Sequence, residues 1–269
     1  MGPRPEQDRV RSVIERGLVR AAYQPIVDVQ RLEVVGREAL SRLAPETGYK
    51  GPEEFFSDAE RAGLAWEAER VTRDAAVSGY AAVEDGTRLF LNVSPTVVAD
   101  ERLSLELLRA VSRVRGLTPS RVVIEITEHM SLARTDVFVA RAEELRSAGF
   151  EVAVDDVGAG TSGLNRIMAI RPDWIKLDRD LIREIDVDRN KRNLVKFLVS
   201  FGRLSGPRVL AEGVERREEL AALLDLGVRY VQGYLLARAG PVDASVDPGV
   251  MRWLSARQEE LACGRLSDP

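Results

Sequence analysis

The sequence predicts an α/β chain folded as a modified (β/α)8 TIM-like barrel with an antiparallel first strand, and three observations carry that expectation. Short β-rich runs alternate with helical patterns along the 269 residues, which implies a parallel sheet with helices outside it. Eight such runs fall within a length suited to one large barrel. The first two runs are joined by only a short polar turn, too short for a crossover helix, so they are expected to pair antiparallel.

The elements follow in order. Residues before Tyr23 form an amphipathic helix with Val10, Ile14 and Leu18 along one side, read as a helix over 1–20 packing on the barrel. Strands are expected at Ala22–Val27 and Glu33–Leu40, then helices from Pro52 and from Trp66. Arg88–Val93 is the third strand and Leu103–Val114 the helix after it. Arg121–Ile126 precedes a helix with Phe138, Ala142 and Leu145 on one face, ended by Gly149. Strands Glu151–Val154 and Asp173–Leu177 come next, then a helix marked by Leu194, Phe197, Leu198 and Phe201 at three-and-four spacing. Arg208–Ala211, a helix through Leu220, Leu223 and Leu224 to Gly227, the strand Tyr230–Val231 and a helix near Val250–Leu261 complete the set. Residues 262–269 read as a loose tail, and the whole as a single domain over 1–269.

Composition narrows the function classes. The chain is 45% apolar with a net charge of −4, and it shows no long basic run of the kind a duplex-binding face carries. No apolar stretch is long enough to span a bilayer, and the N-terminus lacks a signal-peptide core. Cys263 is a lone thiol and reads as a tail residue, so no internal disulfide is possible and a cytoplasmic location is expected. His129 is the single histidine, which argues against a histidine-rich metal site or a histidine-based triad.

The chemistry collects where the strands end. Glu38, Asn92, Glu125, Asp155 with Asp156, Lys176 with Asp178, Glu212 and Gln232 each follow a short β-rich run. Barrel strand exits converge on one rim, where catalytic residues gather. Any one of Glu38, Glu125 or Glu212 alone reads as a solvated loop residue, and Asp155-Asp156 alone as a tight turn. Their joint occurrence at seven strand exits is poorly explained that way. Carboxylates brought together in this way repel one another unless cations intervene. All-oxygen ligands suit Mg²⁺ or Mn²⁺, and the adjacent Asp155 and Asp156 suggest two ions, a recurrent device for phosphodiester cleavage.

The same residues carry a resemblance. Glu38-Ala39-Leu40 lies within VVGREALSRL, and YQPIVDV (23–29), LNVSP (91–95), EITEHM (125–130), AVDDVGAG (153–160), IKLDRDL (175–181), AEGVE (211–215) and VQGYLLAR (231–238) follow in order. This series resembles the EAL-domain cyclic di-GMP phosphodiesterases over nearly the whole chain. The resemblance implies hydrolysis of cyclic di-GMP to linear 5′-pGpG with two divalent cations, Mg²⁺ or Mn²⁺, and inhibition by Ca²⁺. It implies Glu38, Asn92, Glu125 and Asp155 as ligands of one ion and Asp155, Asp156 and Glu212 as ligands of the other, with Lys176 holding or polarising the attacking water. Glu38, Asp156, Lys176 and Glu212 form the implied catalytic set. Gln24, Leu40, Arg42, Asp178 and Gln232 are implied to contact water or substrate, and Glu128 and Glu215 to support the site. A homodimer through the loop and helix after Asp156 is also implied.

Two segments depart from the family pattern. Where the family commonly resembles DDFGTGYSSL, this chain has DDVGAGTSGL, with Val157, Ala159, Thr161 and Gly163 at the changed positions. The smaller side chains predict a looser loop and a weaker or rearranged dimer contact. QGYLLARAGP sets Ala239 and Gly240 before Pro241, where the family commonly has Arg-Pro directly. Two other functions compete with the enzyme: a receptor that binds cyclic di-GMP without cleaving it, and a metal-dependent barrel hydrolase for another phosphodiester.

Overall fold

The computed structural model describes residues 5–83, 85–127, 135–158 and 163–265. Glu128, His129 and the loop residues Ala159, Gly160 and Thr161 lie outside them, as does the side chain of Cys263. Chain order runs α1 (Pro5–Arg16), β1 (Val19–Asp28), β2 (Glu33–Leu43), α2 (Pro52–Arg61), α3 (Ala65–Gly79), β3 (Arg88–Val93), α4 (Pro95–Val98), α5 (Leu103–Ser112), β4 (Val122–Thr127) and α6 (Thr135–Ser147). It continues with β5 (Glu151–Val157), α7 (Gly163–Ile170), β6 (Trp174–Leu177), α8 (Arg179–Ile182), α9 (Arg189–Ser205), β7 (Arg208–Ala211), α10 (Arg217–Asp225), β8 (Tyr230–Val231) and α11 (Pro248–Arg265).

The eight strands close into a barrel in sequential order. β2 through β8 run parallel, while β1 is antiparallel to both β2 and β8. The expected architecture is therefore present, with several boundaries moved. β1 and β2 extend beyond the expected runs because they pair with each other from Val19↔Leu43 to Asp28↔Glu33, and a hairpin ladder holds residues that lack β propensity of their own. β5 continues past Val154 through the acidic pair to Val157. α11 stays helical to Arg265, into the segment expected to be a loose tail, because Glu260, Leu261 and Ala262 are good helix formers.

Strand side chains alternate between two faces, and that alternation builds the interior in layers. Ile26, Phe90, Val123, Ala153, Trp174 and Leu210 form one buried cluster inside the barrel. Their neighbours Val27, Leu89, Leu91, Ile124, Val152, Val154, Ile175 and Val209 join the larger cluster shared with the surrounding helices. The Trp174 ring stands edge-on to Phe90 and Tyr230, with centroids 5.2 and 4.9 Å away. Gly36 makes room for this plug, since a Cβ there would lie 2.6 Å from the Phe90 ring. The helix α1 packs on α2 and α3 in a separate cluster in which Val10, Val13 and Val19 meet Phe55, Ala59 and Ala68.

Beneath the plug, Glu151 accepts hydrogen bonds from Trp174 Nε1 (2.7 Å), Arg208 Nη1 (2.8 Å) and Arg88 Nε (3.0 Å). Burial opposes its ionisation, but the Trp174 and Arg208 donors outweigh burial and hold its carboxyl below the ordinary range. A depressed native pKa means that this stabilisation is complete above the unfolded-state value and is lost as the pH falls through the native one. Glu151→Gln should therefore cost about 1–3 kcal/mol at neutral pH, the usual penalty for leaving buried donors poorly matched. Denaturant titrations at several pH values check this. The gap between variant and wild type should close under acid, and a gap independent of pH would contradict the account.

Candidate active site

The alternation that places the apolar plug also places the functional side chains. Two residues beyond Gly36, Phe90, Val123, Ala153, Trp174, Leu210 and Tyr230 stand Glu38, Asn92, Glu125, Asp155, Lys176, Glu212 and Gln232. On the reversed β1 the same step runs backward, from Ile26 to Gln24. All of these side chains therefore reach one mouth. Six of the eight are buried, Glu212 is partly so, and Asn92 is exposed at the rim.

Lys176 occupies the centre. Its Nζ lies 2.5 Å from Glu125 Oε1, 2.7 Å from Glu212 Oε1, 3.1 Å from Asp155 Oδ2 and 3.8 Å from Glu38 Oε1. Burial disfavours the ammonium, but Asp155, Glu125, Glu212 and Glu38 together hold its pKa well above the ordinary lysine value. One cation does not balance this many carboxylates. Burial, with neighbouring like charges added to it, pushes Glu125 and Glu212 well above the ordinary carboxylate range. Glu38 fares differently. Burial works against it too, but Lys176 and the amides of Asn92 and Gln232 keep it below its usual value. Asn92 Nδ2 donates to Glu38 Oε1 and Gln232 Nε2 to Glu38 Oε2, each at 2.7 Å. Gln232 Nε2 also reaches Gln24 Oε1 at 3.0 Å, and Gln24 Nε2 donates to the Ala237 carbonyl at 3.0 Å.

Asp156 follows Asp155 directly, so strict alternation would turn it outward. Instead it takes a left-handed backbone with φ of 60°, and the β5–β6 register slips between Val154 and Val157. Aspartate tolerates this conformation better than most residues. The bulge carries both carboxylates to the mouth, where ligand oxygens of Asp155, Asp156 and Glu212 lie within 4.8 Å of one another. Glu38, Glu125 and Glu212 form a second such group. The loop bearing Glu212 is fixed from behind by Glu219, which accepts from the backbone N–H groups of Arg216 (3.0 Å), Glu215 (3.1 Å) and Glu184 (3.2 Å). Gly233 backs onto the same loop so closely that a Cβ would meet the Val214 backbone at 2.1 Å.

The donor set fits divalent cations. Both oxygens of Glu125 and Oε1 of Glu212 are buried without a hydrogen bond, although Lys176 lies close to one oxygen of each. Buried acceptors of this kind are costly unless something positive meets them. Carboxylates with one amide oxygen, and no thiolate or imidazole, make a site for hard ions. Glu38, Asn92, Glu125, Asp155, Asp156 and Glu212 are the residues that would hold them.

The remaining expected residues are distributed differently. Leu40 lines a cleft of about 660 Å³ between α2, α3 and the ends of β2 and β3, a cleft that shares Glu38 and Asn92 with the mouth. Asp178 caps α8, accepting from Asp180 N at 2.7 Å. Arg42 is exposed, its Nη1 on the Ser41 carbonyl at 2.9 Å. Glu215 pairs with Arg179 at 2.8 Å rather than with the cluster. Both lie at the surface because Arg42, though it shares the parity of Glu38, stands near the far end of β2, and Glu215 lies in the loop after β7.

Two residues of the cleft were not anticipated: Glu69 and Arg73 on α3, which line it beside Ala65, Thr72 and Ala76. The legible signal was a pair of opposite charges at i,i+4 spacing interrupting the inner face of a helix. Both side chains are buried, with Arg73 Nη1 3.2 Å from Glu69 Oε2. Burial raises the Glu69 pKa despite help from Ser94, and burial lowers that of Arg73 despite Glu69.

A family model described as the EAL domain matches residues 7–239. The chain belongs to that family. It is 31% identical over 242 residues to a probable cyclic di-GMP phosphodiesterase, PdeI, of Escherichia coli strain K12, covering 87% of this chain and 31% of PdeI. The BlrP1 protein of Klebsiella pneumoniae, solved as a calcium/cyclic di-GMP complex, superposes with a TM-score of 0.73 at 32% identity over 83% of this chain and 56% of that one. BlrP1 has also been solved as a manganese/cyclic di-GMP complex. A MucR phosphodiesterase–cyclic di-GMP complex gives a TM-score of 0.78 at 28% identity, covering 88% of this chain and 98% of that one. The bifunctional Pseudomonas aeruginosa MucR is 29% identical over 87% of this chain, which spans 35% of its length. This chain thus spans about a third of the length of these curated relatives.

Lys176→Met tests the charge balance directly. With a chelator present the variant should lose about 3 kcal/mol, the usual cost of stripping one partner from a buried ion cluster. Mn²⁺ should return part of the loss, since cations bind the native cluster alone. Calorimetric melts with and without Mn²⁺ measure both, and an unchanged midpoint in chelator would show that the carboxylates do not depend on this ammonium.

Proposed function

We propose that this protein is a cyclic-guanylate-specific phosphodiesterase that hydrolyses cyclic di-GMP to linear 5′-pGpG with two divalent cations, Mg²⁺ or Mn²⁺. The observation that carries the reading is the convergence of Glu38, Glu125, Asp155, Asp156 and Glu212 on one mouth, where the single ammonium of Lys176 leaves buried carboxylates under-compensated. Solved relatives bound to cyclic di-GMP with calcium or manganese support it. When bound, divalent ions lower the pKa of water and neutralise charge on phosphoryl oxygens.

The chain's own residues supply the rest. Asn92 and Gln232 lock Glu38 in one orientation through its two oxygens, the kind of supporting shell that ion sites need. Lys176 is fully desolvated and stays charged, so it would donate to the attacking water and hold it in line with the scissile bond. The cleft beside Glu38 and Asn92 has space for one nucleoside half of the substrate, in the size range of ligand pockets. Leu40 contributes to its wall. Gln24 steadies Gln232, and Asp178 orders the turn after Lys176. Arg42 would need to swing inward to meet a phosphate. Glu128 and Glu215 remain supporting residues in this reading.

The reading extends to one working domain and to a cytoplasmic setting, in keeping with a single cysteine. No helix among the described residues is long and apolar enough to cross a membrane. The proposed homodimer would use the face after Asp156, where Leu164 and Met168 on α7 and Leu194 and Phe197 on α9 are 41, 61, 41 and 50% exposed. Apolar exposure of that order marks association surfaces.

Incubation with cyclic di-GMP and Mg²⁺ or Mn²⁺, followed by chromatography, should yield the linear dinucleotide. Chelation with EDTA should abolish the product, and Glu38→Ala should cut turnover on the order of a hundredfold or more, beyond the usual loss from a mere supporting residue. Ca²⁺ should leave substrate bound and largely uncleaved, because it accepts looser geometry and activates water less. Saturable binding with no product under Mg²⁺ or Mn²⁺ would establish a receptor instead. For the dimer, Met168→Glu should shift the mass measured by light scattering toward the monomer, and a monomeric wild type would refute the interface.

A further inference from the structure

We infer that the opposite end of the barrel carries a second ligand site, an arginine-rimmed pocket that binds the phosphate group of a small phosphorylated compound. The pocket has a volume of about 270 Å³ and lies where the C-terminal end of α9 meets the starts of β7 and β8. The parallel strands start at the face remote from the mouth, so this pocket is separate from the carboxylate cluster. Arg203, Arg208 and Arg229 line it, and no acidic residue does so among the described residues. Val199, Val209 and Val228, all buried, supply apolar wall, with Tyr230 beside them.

Two of the arginines have a structural role that does not exhaust them. Arg208 gives Nη1 to Glu151 at 2.8 Å, and its guanidinium sits 4.7 Å from the Trp174 ring centre. Among the described residues nothing engages its Nε and Nη2. Arg229 directs Nε and Nη2 to one oxygen of Asp28, at 2.8 and 2.6 Å, which leaves Nη1. These two side chains remain 35 and 36% exposed. Arg203 is a third cation without a carboxylate of its own. Asp28 is buried against Arg229, and Glu151 is already shared by Arg88, Arg208 and Trp174. Yet Arg203 is folded back over the pocket edge, so close to Gly227 that a Cβ there would lie 2.3 Å from its Nη2. Its one hydrogen bond among the described residues is a long contact of 3.5 Å to the Gly227 carbonyl. Three guanidiniums around one small cavity fit a group with two negative charges and three terminal oxygens, since each guanidinium can donate a fork of N–H bonds. A carboxylate has too few oxygens to engage all three. The cleft at the mouth, at about 660 Å³, is sized for one nucleoside half, so this pocket takes a molecule smaller than a cyclic dinucleotide. A phosphate bound here would bridge α9, β7 and β8, adding a tie across a joint held by only Leu210↔Tyr230 and Ala211↔Val231.

Phenyl phosphate serves as the probe, titrated calorimetrically into the protein with EDTA present and the ionic strength held constant with sodium chloride. Without divalent ions the carboxylates of the mouth repel anions, so that site does not compete. The wild type should bind one equivalent saturably, and Arg203→Ala should weaken binding on the order of tenfold, the usual loss of a charge-assisted hydrogen-bond donor. Inorganic phosphate binding at least as tightly would support free phosphate as the occupant, and weaker binding would support a phosphoester whose organic body uses the valine wall. Benzyl alcohol, a ring without the anion, should not displace the probe, and displacement would overturn the phosphate assignment. A wild type with no saturable binding would overturn the site, as would an Arg203→Ala protein that binds undiminished. Arg203 is exposed, so its truncation leaves the core intact, and the wild-type titration alone decides whether the site exists.

Discussion

Everything at the mouth depends on a two-residue period laid over an apolar plug. Phe90, Val123, Ala153, Trp174 and Leu210 can be buried inside the barrel only if their strands hold one parity. The residues two steps on are then committed to the same interior, whatever their charge. Hydrophobic burial thus drives carboxylates into a place they would otherwise avoid. The desolvation of Glu125 and Glu212 follows from the packing of Trp174 and its neighbours, and the fold carries that cost for the sake of the site.

Lys176 makes the arrangement tolerable in the absence of ions. A single ammonium touching carboxylates from four different strand ends acts as an internal counterion, and its own burial is offset by those partners. The balance remains incomplete, which leaves acceptors directed at a shared space. Such a site is poised for cations because its ligands are already gathered and partly desolvated, so little ordering remains when an ion arrives. The amide pair Asn92 and Gln232 has a complementary role, holding Glu38 ionised and oriented where Glu125 and Glu212 are pushed toward protonation.

The barrel and most of its rim were legible in the sequence because both arise from short-range regularities. Strand-like runs followed at once by Glu, Asp, Asn, Lys or Gln were visible at Glu38, Asn92, Glu125, Asp155, Lys176, Glu212 and Gln232, and parity does the rest. Asp156 was legible as a ligand from its adjacency to Asp155 and from the family resemblance, but the left-handed residue and register slip that turn it inward are announced by no propensity. Glu69 and Arg73 escaped notice because they stand on a helix rather than at a strand exit, and a helical Glu–Arg pair at i,i+4 is ordinarily a solvated surface pair. Arg42 and Glu215 were carried by motif position alone, and both are exposed, one near the end of β2 beyond the mouth and the other in the loop after β7. Boundaries moved mainly in the hairpin, where pairing between β1 and β2 overrides local preference.

The reversed β1 also gives the barrel an uneven circumference. Between β1 and β2 the ladder runs the full length of both strands, whereas β1 meets β8 through only two residue pairs, Val27↔Val231 and Asp28↔Tyr230. A lone bridge, Tyr23↔Gly240, and the Arg229–Asp28 ion pair reinforce that joint. β7 also meets β8 through only two pairs, so β8 is the most thinly paired strand of the ring, and Gln232, just after it, is clasped to the Gln24 amide. Local opening follows the route that breaks the fewest bonds. In this protein that route runs directly beneath the hinge point of Glu38's second anchor, so the wall least resistant to breathing is the one shared with the chemistry.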